Sequence, residues 1–173
     1  MAGAVVIVGV AAAVVIATRD DPPADGRFAA TPDACRSVVD SGAAAALPKS
    51  VGDFRPNPDK DDRSGDNTAC YLIVQRDGTP AGHPMADQIY VTVQYFIDKW
   101  KTQDETAIAG KTVAELADGF RPMSGVGDQA YVKDAQIWMR ISNLTVNIRD
   151  APAEAELATI EFARILGRHL QSR

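Results

Sequence analysis

The residues of this chain with the most definite chemistry are its two cysteines, Cys35 and Cys70. Neither sits in a Cys-x-x-Cys motif or beside a histidine, so metal binding and redox catalysis are weak readings. In an oxidising compartment a disulfide is the natural one, with two separate buried thiols as the alternative. Closing a loop of that length would stabilise a fold by about 4 kcal/mol on the chain-entropy model. The two histidines stand apart, His83 in a Gly82-His83-Pro84 turn and His169 near the end of the chain. No His-x-x-x-His, Glu-x-x-His or Gly-x-Ser-x-Gly pattern accompanies them, which argues against zinc or hydrolase chemistry.

Asp59, Asp61, Asp62 and Asp66 invite a calcium reading. It fails at Arg63 and Ser64, which stand where an EF-hand needs an oxygen ligand and a glycine, so the stretch reads as a solvated loop. Gly125-Val126-Gly127-Asp128 has the composition of an anion-holding nest. With no helix start or lysine behind it, a turn delivering the chain into a strand is the better reading. Asn143-Leu144-Thr145 is formally a glycosylation sequon, but a tight hairpin turn explains Asn143 without it. No catalytic residue, metal ligand or cofactor is assigned. The aromatic residues offer more. Tyr90 and Trp138 fall opposite the aliphatic stripes of their own strands, and Trp100 follows the first long strand. Exposed together, they form a candidate surface for a partner or apolar ligand; loops or a helix laid over them is the alternative.

The elements that must position these residues follow from periodicity and capping. Thr31-Pro32-Asp33 has the chemistry of a helix start, with Thr31 as the cap and Pro32 in the first turn. That helix runs to about residue 39 and turns Cys35, Val38 and Val39 inward. A second short helix covers 42–46, and 49–68 reads as a long polar loop. Strands are expected at 70–74 and 88–96, the latter with Ile89, Val91, Val93 and Tyr95 on one face. Thr102 and Glu105 form a capping box for a helix through Ile108, Thr112, Leu116 and Ala117 that stops at Gly119. Three more strands, 131–132, 137–141 and 144–148, are joined by Lys133-Asp134 and by the Ser142-Asn143 turn. A last helix carries Ala153, Leu157, Ile160, Ala163, Leu166 and Leu170 as its apolar stripe. The expected fold class is α+β, an antiparallel sheet of about five strands with helices packed on one face.

The N-terminal segment decides location. The chain has 173 residues and a net charge of -5, room for one domain and an accessory segment. Residues 2–18 carry no charge and are dominated by Val and Ile. As a helix they would span ~26 Å against a bilayer core of ~30 Å, and the run exceeds a typical signal-peptide core. The expected division is therefore a transmembrane anchor or signal segment at 1–18, a polar linker at 19–30 and an extracytoplasmic domain at 31–173. Gly9, Ala13 and Ala17 repeat every four residues and line one face of that helix as a candidate contact for another. No run of Lys or Arg occurs, so neither a nucleic acid nor an anionic lipid surface is an expected electrostatic partner.

Several motifs recur together in one order. They are Thr31-Pro32-Asp33-Ala34-Cys35, Cys70-Tyr71-Leu72, Ser124-Gly125-Val126-Gly127-Asp128-Gln129-Ala130-Tyr131, and Met139-Arg140-Ile141-Ser142-Asn143-Leu144-Thr145-Val146 before a C-terminal helix. In this the chain resembles small secreted or lipid-anchored actinobacterial proteins grouped as a domain of unknown function. It is also similar in layout to the extracellular sensor domains of actinobacterial receptor kinases. The resemblance covers roughly residues 31–172; unlike lipid-anchored members, this chain has no lipidated cysteine. It implies location and fold and brings no activity. The expected function is a membrane-tethered extracytoplasmic binding domain at the cell envelope, without enzymatic activity. It would sense an envelope ligand, serve as accessory subunit of an envelope assembly, or self-associate through its N-terminal helix. The alternative is a cell-wall hydrolase or transferase using scattered Asp and Ser residues.

Overall fold

A computed structural model describes residues 26–56, 67–75, 87–97 and 105–173. Its elements in chain order are α1 (Ala34–Ser41), a 3-10 turn (Ala43–Ala46), β1 (Val51–Pro56), β2 (Asn67–Gln75), β3 (Asp87–Ile97) and α2 (Glu105–Leu116). There follow β4 (Arg121–Pro122), β5 (Gln129–Lys133), β6 (Gln136–Ile141), β7 (Leu144–Arg149), a second 3-10 turn (Ala153–Ala155) and α3 (Glu156–Gln171). The strands form one sheet in the order β1-β2-β3-β7-β6-β5-β4, every neighbouring pair antiparallel. The α+β class and the antiparallel sheet are as the sequence implies. The strand count is seven, not five, because β1 and the two-residue β4 join it at its edges.

β1 falls inside the stretch read as a loop. Its Gly52 and Pro56 suit an edge strand, where a missing ladder donor can face away from the sheet. In α1 the cap is Asp33, not Thr31: its carboxylate accepts from the Arg36 N–H at 2.9 Å, while Asp33 itself is extended. The buried stripe of α1 is Ala34, Ser37 and Val38, which leaves Val39 57% exposed.

One side of the sheet holds the apolar core. Leu72, Val91, Val93, Tyr95, Ile137, Met139, Ile141, Val146 and Ile148 meet Val38 of α1 and Phe162, Ala163, Leu166 and Leu170 of α3. The last helix thus buries most of its expected stripe. Leu157, 82% exposed, and Ala153, also exposed, are the exceptions, because the 3-10 turn before α3 changes the rotation per residue at its start.

The helices do not share one face. On β6, a Cβ at Gly167 of α3 would stand 3.8 Å from Met139 Sδ, whereas one at Gly110 of α2 would stand 3.5 Å from Arg140 Nε. Met139 and Arg140 are consecutive in a strand and point to opposite sides, so α3 and α2 sandwich the sheet. The unbroken burial of β7 from Leu144 to Ile148 agrees, since both of its sides are covered. α2 buries Ala109 and Val113, one residue out of phase with the expected Ile108 and Thr112, and leaves Leu116 half exposed, while Ala117 just past its end is buried as expected. These small side chains and Gly110 allow the helix to rest on the stem of Arg140.

Among the described residues no helix is long and apolar enough to cross a membrane. The segment 1–18, with Gly9, Ala13 and Ala17, lies outside them.

Candidate functional site

The side of the sheet under α2 differs in chemistry from the core side. Reading across the ladder, Gln94 of β3, Asn147 of β7, Trp138 of β6 and Tyr131 of β5 form one row. Phe96, Thr145, Arg140 and Gln129 form the next. Phe96 and Trp138 stack with ring centroids 6.4 Å apart, the two rings straddling β7. Thr145 and Asn147, which lie between them in the ladder, are buried, as is Thr92 two residues from Gln94. Gln129 donates to the Tyr131 hydroxyl at 2.8 Å. Two buried polar atoms on this side, Thr92 Oγ1 and Arg140 Nε, have no hydrogen-bond partner. A buried donor without an acceptor is costly to the fold.

Of the three expected aromatic residues, Trp138 is on this side and half-buried against Phe96. Tyr90 is not beside it. Leu72 pairs with Val91 and Ile73 with Ile89, so Tyr90 is the extra residue of a bulge. The bulge breaks the alternation: Tyr90 packs against the core cluster and Ile89 is left 45% exposed. Partial burial and then the charge of Glu154 raise the Tyr90 phenol above its ordinary pKa. Trp100, His83 and the Asp59, Asp61, Asp62 and Asp66 loop lie outside the described residues. Among the described residues no group of three or more His, Cys, Asp or Glu could hold a metal ion.

Cys35 and Cys70 are bonded to each other, their Cα atoms 4.8 Å apart, joining α1 to β2. Tyr95, fully buried nearby on the core side, has its pKa pushed far up by burial, with Ser37 and Arg173 pulling the other way. Ser37 directs its own hydroxyl to the Asp33 carbonyl oxygen at 2.8 Å, and Tyr95 Oη makes no hydrogen bond.

The Gly125–Asp128 stretch is a turn, and an engaged one. Gly127 has φ 58°, and a Cβ there would lie 2.5 Å from the Arg140 carbonyl oxygen, so glycine is required twice over. Asp128 accepts from the Ser142 N–H at 2.6 Å and from Gln171 Nε2 at 3.3 Å, and its own N–H donates to Arg140 O at 2.8 Å. Arg140 in turn donates to Ser142 O at 3.1 Å. Asn143 is 1% exposed and clamps the incoming chain: its Oδ1 accepts from the Phe28 N–H at 3.0 Å and its Nδ2 donates to Phe28 O at 2.8 Å. This arrangement leaves no room for a glycan on the folded protein. Sequence reasoning missed the clamp, for nothing in Gly26-Arg27-Phe28 signals a partner so far along the chain.

The chain matches no protein-family model, and no curated protein or solved structure is significantly similar to it.

Proposed function

We propose that the chain is a membrane-tethered extracytoplasmic binding domain that offers Phe96 and Trp138, left half-buried on the α2 side of its sheet, to an envelope ligand or a neighbouring envelope protein. The observation that carries this reading is the Cys35–Cys70 disulfide, a bond that persists where the surroundings are oxidising. Together with the uncharged residues 2–18, it supports a domain held on the outer side of a membrane. The motif order, read as a resemblance to small actinobacterial envelope proteins, agrees with that reading. Binding is favoured over hydrolase or transferase chemistry because several of the described carboxylates serve structure. Asp33 caps α1, Asp40 pairs with Arg36 and Arg173, Asp128 holds the hairpin and Glu156 pairs with Arg121.

Within the α2 side of the sheet, Trp138 and Phe96 supply stacking surface, while the neighbouring Gln94 and Arg140 donate to Asn67 Oδ1 and Ser142 O within the fold. Lateral pairing through Gly9, Ala13 and Ala17 belongs to the same proposal, and replacing Ala13 by Leu tests it by weakening detergent-resistant association without loss of insertion. The test of the whole reading is fractionation of the full chain expressed in bacteria. Expected is a membrane-bound product resistant to alkaline carbonate, digested by protease added outside spheroplasts, and of unchanged intact mass after alkylation without reduction. A carbonate-soluble or protease-protected domain with two alkylated thiols would overturn it.

A further inference from the structure

The incoming chain is held at one end of the sheet. Phe28 is buried and bound on both backbone groups by Asn143, and the Arg27 N–H donates to Ser142 Oγ at 3.0 Å. The Arg27 guanidinium donates to Gln171 O in the last turn of α3, and Gly26 packs against the Asn143 side chain where a Cβ would collide. From there the chain crosses the strand ends to Pro32, whose carbonyl oxygen accepts from Thr68 Oγ1 at 2.7 Å near the start of β2. Residues 26–32, the Ser142-Asn143 turn and the end of α3 thus build one end of the domain. β6 connects this end to the Asp134-Ala135 turn at the other, roughly 25 Å away at ~3.3 Å per residue. α3 runs the same length and leaves Leu157 exposed at the far end.

Only residues 19–25 separate the apolar segment from Gly26, and seven residues reach at most ~25 Å when fully extended. Inverting the domain would use that whole reach to pass its height. Nothing would remain to cross the headgroup layer, which adds ~6 Å on each side of the hydrocarbon. Resting on the membrane-tether reading above, we propose that the Asn143 end of the domain faces the bilayer and that the Asp134-Ala135 turn and Leu157 face away from it. The surface offered to soluble or neighbouring partners is then the far end and the α2 side, and the near end, with Arg27, Val39 and Arg173, is turned to lipid.

The experiment places the full chain in lipid nanodiscs containing a gadolinium-chelating headgroup lipid and measures relaxation of backbone amides. Expected is several-fold faster relaxation at Ser142 and Gln171 than at Asp134 and Leu157. Equal relaxation at the two ends, or faster relaxation at Asp134, overturns the orientation while the tether reading stands. A chain that does not co-elute with nanodiscs overturns the tether reading, and this inference with it. A second variant carries about ten Gly/Ser residues between Asp25 and Gly26, which preserves every clamp contact and lengthens the tether beyond the domain's height. The contrast between the ends should then collapse. If it persists undiminished, something other than the short clamped tether sets the orientation and the argument fails.

Discussion

The two sides of the sheet are made from alternate residues of the same strands, yet they are solved differently. On the α1/α3 side, Leu144, Val146 and Ile148 of β7 enter a continuous apolar core. On the α2 side, Thr145 and Asn147 of the same strand are just as buried, under a helix that contributes Ala109, Val113 and Ala117. The first side gains stability from the aliphatic side chains it hides, although Tyr95 Oη there also lacks a partner. The second hides polar groups and leaves Thr92 Oγ1 and Arg140 Nε unmatched, which costs stability that the first side must supply. Keeping such a side makes sense where it does work other than folding.

The comparison can be broken by substitution. The largest effect belongs to the disulfide, which fastens α1 over the apolar side: replacing both Cys35 and Cys70 by Ala should lower unfolding free energy in urea by about 4 kcal/mol. A loss under 1 kcal/mol would mean that the core holds α1 unaided. Next comes a matched pair of truncations. Leu166→Ala on α3 should cost about 3 kcal/mol, and Val113→Ala on α2 about 1.5 kcal/mol. Equal costs would show that the α2 side is as much a core as the other.

Thr92→Val should be neutral or stabilising, by up to ~1 kcal/mol, because it deletes an unpartnered buried hydroxyl and keeps the shape. A loss of similar size would assign that hydroxyl a partner. Smallest at neutral pH is Tyr95→Phe. Its phenol is far harder to ionise folded than unfolded, so its contribution is full below the ordinary tyrosine value and is lost as pH rises above 10. The wild type should therefore lose stability above pH 10 more steeply than Tyr95→Phe in pH-dependent melts, and parallel curves would place Tyr95 in water.

What was legible in the sequence is what local pattern encodes. The Ser142-Asn143 hairpin, β3, the disulfide and most of α3 follow from turn chemistry, alternation, cysteine count and a 3.6-residue stripe. An amphipathic stripe says that α2 packs on something, not which side of the sheet it chooses. The bulge at Tyr90 adds one residue to a perfect alternation, and no residue type there announces it, so the expected partnership of Tyr90 with Trp138 dissolves. β1 was hidden because Gly52, Asp53, Arg55 and Pro56 carry loop composition, tolerable only where β2 supplies the ladder on one side. The Gly127-Asp128 stretch was legible as a turn, while its anchoring of Ser142 and Gln171 needed the third dimension.

The seat of Phe28 also sets an order of events in time. Asn143 follows it by 115 residues. A ribosome adding 5–20 residues per second supplies that partner roughly 6–23 s after Phe28 is made. Until then an aromatic side chain and two backbone groups at the head of the domain stay unsatisfied. A chain cut short before residue 143 can never satisfy them. The clamp therefore closes late: Phe28 cannot be seated until residue 143 has been made, and a chain interrupted before it leaves that segment unsealed.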